Sequence, residues 1–88
     1  MKQEEQILKI LIPENLDYPN LLEDLWPHYT LNQKLEKVKT TDMGSLFELT
    51  YRVKLQKNVN EKEFIDAIRC RNGNLKIVLE RPFKESEL

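Results

Sequence analysis

The sequence predicts a single α+β domain with the element order β-α-β-β-α-β, and three observations lead to this prediction. Apolar and charged residues alternate with a period of two from Phe47 to Leu55. A well-capped helical segment follows at residues 60–71, and an apolar run near each end of the chain has the length of a strand. With right-handed crossovers, this order folds into a four-stranded antiparallel sheet of order 4-1-3-2, with both helices on one face.

The first strand is predicted at residues 6–12, and it stops at Pro13. Leu8, Ile10 and Ile12 alternate along it and are expected to face the core.

The first helix is predicted from a group of apolar residues at helical spacing, with Asp17 as a possible N-cap. Pro27 disfavours helical geometry at the residue before it and is expected to end or kink this helix. The apolar group consists of Tyr18, Leu21, Leu22 and Leu25.

The second and third strands are expected to form a hairpin. The second, at residues 34–41, is rich in lysine, which suits the edge of a sheet. Asp42 and Gly44 lie between the two strands and are typical of a tight reversal.

The second helix has clear start and stop signals. Asn60 and Glu63 form an Asn version of the capping box, and Gly73 suits the left-handed position after the helix. The lone Cys70 lies at this exit and is interpreted as a partly buried structural thiol. The last strand is predicted at residues 75–80, so the domain covers residues 1–80 and the polar segment 81–88 is expected to fray.

Composition limits the possible functions. The 88 residues include 14 Lys and Arg against 15 Asp and Glu, which is not the charge balance of a nucleic-acid-binding protein. A single cysteine allows no internal disulfide, and no apolar run approaches the roughly 20 residues that span a bilayer. A cytoplasmic location is therefore expected.

Catalytic and cofactor signals are weak. An acylphosphatase would need a basic, glycine-containing loop after the first strand, but residues 12–20 read IPENLDYPN. His28 has no companion at metal-ligand spacing, and Cys70 has no base in its own element. The outward residues of the third strand include no aromatic ring for stacking on RNA. We therefore expect no catalytic residue, cofactor, metal or nucleic-acid partner.

The sheet face without helices is the expected interface. Apolar residues such as Ile7 alternate there with charges of both signs, which is typical of a contact surface. The interface candidates are Leu11, Arg52, Lys54 and Val78.

The stretch from Lys37 to Leu79, above all TTDMGSLFELTY and EFIDAIRCRNGN, resembles the soluble C-terminal domain of an uncharacterised family of bacterial integral membrane proteins. The domain is also similar to the ferredoxin-like, ACT-like C-terminal domain of MgtC-type proteins. Because the chain contains no membrane segment, we expect it to be an excised or separately expressed cytosolic piece of such a protein. The resemblance implies a regulatory or assembly domain of a membrane protein such as a transporter, on the cytosolic face of the membrane. The resemblance assigns no catalytic residues to this chain.

The expected partners are a second copy, as a weak homo-oligomer, or the membrane portion of a parent protein. The alternative is an ACT-type sensor that binds a small ligand or anion at a dimer interface, and an acylphosphatase-type enzyme is less favoured. The polar residues considered for the sensor are Asp42, Ser45, Arg69, Arg71, Asn72 and Asn74.

Overall fold

A computed structural model describes residues 4–82 of the chain. The elements in chain order are β1 Glu5–Pro13, α1 Tyr18–Leu21, α2 Trp26–Tyr29, β2 Thr30–Thr41, β3 Leu46–Leu55, α3 Glu61–Arg69 and β4 Ile77–Glu80. The four strands form one antiparallel sheet in the order β2-β3-β1-β4. This is the predicted order read from the other edge, so the α+β class and the strand order are confirmed.

The core lies on one face of the central strands β1 and β3. Leu8 is paired with Tyr51 and Ile10 with Leu49, so the buried residues of the two strands stand opposite each other. The predicted alternation of β1 is therefore confirmed. The core cluster also includes residues from the helices and the segments around them: Leu22, Leu25, Trp26, Phe64 and Ile68.

The first helical region differs from the prediction. It consists of two four-residue helices, and Pro27 lies within α2 instead of ending a longer helix. A proline near a helix start removes only an N–H that would be unpaired in any case. Asp17 precedes α1, but its carboxylate accepts a bond from the Asn20 side chain at 2.9 Å and caps no backbone N–H.

The strand bounds also differ from those predicted. β2 begins at Thr30, four residues before the predicted start, because β3 is long enough to pair with the added residues. The register of this pair shifts at Leu31 and at Glu36, where β2 has an extra residue. β4 begins at Ile77, two residues later than predicted.

The exit of β2 confirms the predicted reversal. A 3₁₀ turn over Asp42–Gly44 joins β2 to β3, and Gly44 has φ +90°. A Cβ added at Gly44 would meet no atom within 4 Å, so any cost of a side chain there comes from the backbone.

Gly44→Val is expected to destabilise the domain by more than about 1 kcal/mol, because a β-branched residue strongly disfavours positive φ. Urea unfolding measures this loss. Gly44→Ala should lose less, since alanine is not β-branched. An unchanged midpoint for the valine variant would contradict the turn geometry.

Helix α3 has the Asn60 half of the predicted capping box. The Asn60 side chain accepts a hydrogen bond from the Glu63 backbone N–H at 3.1 Å. Past the last helical residue, Gly73 has φ +74°, and the Asn74 N–H donates to the Arg69 carbonyl at 3.0 Å. This bond is the one that closes a Schellman motif with glycine at its left-handed position.

Candidate functional site

The strands β1, β3 and β4 have a second face, directed away from the core, which we call the outer face. Alternation along each strand places the members, all half-buried or exposed, on this side of the sheet. They are Ile7, Lys9, Leu11, Glu48, Thr50, Arg52, Lys54, Val78 and Glu80. All four predicted interface residues therefore lie on one surface.

Three apolar side chains surround one lysine on the outer face. Val78 of β4 stands directly opposite Lys9, and Ile7 and Leu11 lie two residues to either side of Lys9 on β1. Residues at these direct and diagonal positions are within reach of one another. The result is an apolar group in the middle of a charged surface.

The charges of the outer face are largely paired within the chain. Arg52 Nε contacts a Glu36 carboxylate oxygen at 2.9 Å, and Arg52 Nη1 lies 3.5 Å from Glu5. These contacts, with Glu36 first, raise the pKa of Arg52 above its usual value. Lys9 pairs with Glu80 at 3.4 Å. Arg52 can therefore contact a carboxylate of a partner protein only if it shares or gives up its contacts with Glu5 and Glu36.

A shallow depression of about 270 Å³ lies on this face. Lys9, Leu11, Glu48, Lys76 and Val78 are among its lining residues, so it contains both apolar candidates of the predicted interface. Its volume is slightly below the roughly 300–1,000 Å³ typical of small-molecule sites. It suits the tip of a partner side chain or a small ion better than a large cofactor.

The residues considered for a ligand site have structural contacts within the chain. Arg71 binds both carboxylate oxygens of Asp24, at 2.7 and 2.8 Å, and the Leu21 carbonyl at 3.0 Å. Arg69 Nε donates to the Asn74 side chain at 2.8 Å. The depressions beside Arg69 and Asn74 include none of residues 40–45 in their lining. Ser45 instead lies near the end of β1, where its carbonyl accepts from the Glu14 N–H at 3.1 Å. The side chain of Asp42 is not among those described.

Asn72 is fully buried and joins the exit of α3 to the sheet. Its Nδ2 donates to the Leu11 carbonyl at 2.9 Å and to the Leu75 carbonyl at 3.3 Å. Its Oδ1 has no hydrogen-bond partner within residues 4–82. The Asn72 amide therefore links the exit of α3 to β1. From the sequence, Asn72 was considered as a polar contact for a ligand.

Lowering the pH is expected to weaken the Arg71–Asp24 contact. The hydrogen bond from Arg71 lowers the pKa of Asp24 from 3.8 to about 2. The stabilisation is thus complete above pH 4 and is lost as the pH falls towards 2. The difference in unfolding free energy between wild type and Asp24→Asn should be constant from pH 5 to 7 and shrink below pH 4. Denaturant unfolding at each pH measures it, and a difference that does not change between pH 6 and 2.5 would contradict the contact.

Cys70 corrects the sequence interpretation, because the residue is exposed and not partly buried. It follows the last residue of α3, on the side of the helix turned away from Phe64 and Ile68. No other cysteine occurs in the chain.

We expect one maleimide label per native chain without denaturant, and a change of less than about 0.5 kcal/mol in unfolding free energy for Cys70→Ala. Mass spectrometry and urea unfolding check the two results. Labelling only after unfolding would show that the thiol is protected.

One surface was not identified from the sequence as a candidate site. The edge strand β2 is exposed at every position from 31 to 40, including three large apolar residues. The lysine-rich pattern was interpreted as edge protection alone, although the apolar residues between the lysines were visible in the sequence. They are Leu31, Leu35 and Val38.

The described residues, 4–82, hold no group of three or more His, Cys, Asp or Glu side chains placed to bind a metal ion. No helix in that part of the chain is long and apolar enough to cross a membrane. No protein family, curated protein or solved structure was found to match the chain.

Proposed function

We propose that the chain is a non-catalytic, ferredoxin-like (ACT-like) domain that regulates or assembles a bacterial membrane protein, and that it acts by associating through the outer face. The observation that carries this proposal is the apolar group of Ile7, Leu11 and Val78 around Lys9. A face that met only water would gain nothing from three apolar side chains at neighbouring positions.

The fold supports this assignment. The helical residues Trp26, Phe64 and Ile68 all belong to the one core cluster formed with β1 and β3. We infer that the helices cover that side of the sheet together, as in ferredoxin-like domains, and leave the outer face for a partner.

The partner in this proposal is a second copy of the domain or the membrane portion of a parent protein on its cytosolic face. A contact between two outer faces of so small a domain buries little area, so we expect a dissociation constant that is micromolar or weaker. Tethering in a parent protein would strengthen it by raising the effective concentration.

A sensor role is the second candidate, favoured by the depression of about 270 Å³ on the same face. Lys76 at its margin would contact a small anion, while Lys9 is already paired with Glu80, and a second copy would enclose the ligand.

Light scattering after size-exclusion chromatography, over a range of protein concentrations and with a panel of metabolites and anions, distinguishes the two roles. Dimers that form without added ligand support assembly, and dimers that need a ligand support sensing. A monomer under every condition, up to millimolar protein, would contradict both.

A further inference from the structure

The edge strand β2 is a second surface suited to a partner, separate from the outer face of the other three strands. Within residues 4–82 it pairs with β3 alone, so in that part of the chain one side of its backbone has no strand beside it. Residues 31–40 are all exposed. A long strand with a free edge is a template to which another extended chain can add by main-chain hydrogen bonds.

Two residues on the core side of β2, Leu35 and Val38, are apolar yet partly exposed, and the polar residues Gln33 and Thr40 lie on the same side. Leu35 stands opposite Tyr51 and Val38 opposite Leu49, so both lie on the face that holds the core. The two residues are nevertheless 40% and 43% exposed. Among the described residues, the apolar surface of the core face thus continues to the edge of the sheet, where it is partly exposed.

The other side of β2 carries a row of lysines: Lys34, Lys37 and Lys39. These stand opposite residues of β3 that belong to the outer face. None of the three forms an ion pair with any residue between 4 and 82, whereas Lys9 and Lys62 do. One side of the free edge therefore has two exposed apolar residues, and the other has three lysines, unpaired within this part of the chain, against a single glutamate, Glu36, which is paired with Arg52.

We propose that the free edge of β2 binds an extended segment of a partner protein in which acidic and apolar residues alternate, as a fifth strand of the sheet. Alternate side chains of an added strand point to opposite faces. The apolar residues of the partner would contact Leu35 and Val38, and its carboxylates would lie beside the lysine row. Main-chain hydrogen bonds supply affinity, and the alternation supplies specificity.

The charges favour such a partner over a second copy of β2. Two β2 strands paired antiparallel in one sheet keep corresponding faces on the same side, so their lysine rows would be adjacent. Like charges at directly opposite positions destabilise a strand pair, and edge lysines deter self-pairing in natural sheets. An acidic strand turns the same lysines into attractive contacts. This inference does not depend on association through the outer face, because it concerns a different surface.

The test uses ¹⁵N-labelled domain and a synthetic seven-residue peptide of alternating glutamate and valine with blocked ends. Titration followed by NMR should give saturable shifts of the backbone amides of residues 32–41, and the added strand should slow hydrogen exchange there. Affinity should fall as salt rises, because the lysines are exposed.

Three matched controls test whether binding depends on the lysine row, on the alternation of the peptide and on pairing along one of its edges. Lys37→Glu/Lys39→Glu should weaken binding about tenfold or more, whereas Lys57→Glu/Lys62→Glu, with the same charge change away from both surfaces, should weaken it much less. A peptide of the same composition with its glutamates in one block should bind poorly. Alternate amides of the peptide point to opposite edges, and only one edge pairs with β2. N-methylation of the amides on the pairing edge should therefore abolish binding, whereas N-methylation of the amides on the other edge should be tolerated.

Several outcomes would overturn the proposal. These are no saturable shift at millimolar peptide, equal binding of the block peptide, or equal loss in the two lysine double variants. Shifts of β2 amides that depend on protein concentration without peptide would show that a second copy occupies the edge. Light scattering of the same samples measures self-association through the outer face. A failure of peptide binding at β2 can therefore be distinguished from a failure of self-association.

Discussion

Phe64→Ala is expected to destabilise the domain by about 3–5 kcal/mol, the range for removing a large aromatic side chain from a core. The Phe64 side chain is fully buried, and its ring centroid lies 5.2 Å from that of Tyr29. It is one of two buried residues of α3, together with Ile68. A helix of nine residues is too short to be stable by itself, so its attachment depends on these contacts.

An 88-residue domain has a total stability of only about 4–13 kcal/mol, so this loss is a large part of it. Urea unfolding followed by circular dichroism measures the difference. The matched control is Ile65→Ala on the same helix, where the side chain is only half-buried and the loss should be clearly smaller. A loss below about 1 kcal/mol for Phe64→Ala would mean that α3 is not held by this contact.

Leu11→Glu is expected to abolish self-association while the domain stays folded. Leu11 lies on the outer face between the buried Ile10 and Ile12, so a longer polar side chain can reach water. In a contact between two outer faces, each new carboxylate would lose water and stand near Glu48, its partner across the strands. Exposed ion pairs add only about 0–1 kcal/mol each, so the apolar group must supply most of the contact energy.

Sedimentation velocity at several concentrations compares this variant with the wild type, and circular dichroism confirms folding. Met43→Glu adds the same charge at a fully exposed position in the turn after β2 and should leave association unchanged. Dimers that persist in Leu11→Glu would place the interface elsewhere on the domain. An equal loss of self-association in both variants would show that the effect comes from the change in net charge.

Much of the fold could be predicted because its signals are local. The alternation of β3 determines which side chains face inward, and a shift by one residue would expose Leu49 and Val53. The cap at Asn60 and the positive φ of Gly73 depend on a few neighbouring residues. Chain order together with crossover handedness then leaves few sheet topologies, and the predicted order is among them.

The candidate site was predicted in part for the same reason. The alternation placed Leu11 on the outer face, and the pairing of β1 with β4 brought Val78 beside it. The ligand residues near the exit of α3 were assigned by polarity alone. Arg71 proves to bind Asp24, 47 positions away, and Asn72 the Leu11 carbonyl, 61 positions away. No periodic pattern connects residues so distant in the chain.

The sequence by itself determined the inward and outward sides of β1 and β3 and the capped start of α3, because each follows from periodicity or from hydrogen bonds between near neighbours. It also limited the strand order to a few topologies, because crossovers have a preferred hand. Only the tertiary structure decided the division of the first helix at residues 22–25, the exposure of Cys70 and the early start of β2. It also left Leu35 and Val38 uncovered at the edge. These features depend on which distant elements pack together and how far each one extends, since burial is a property of the assembled surfaces and not of a residue type.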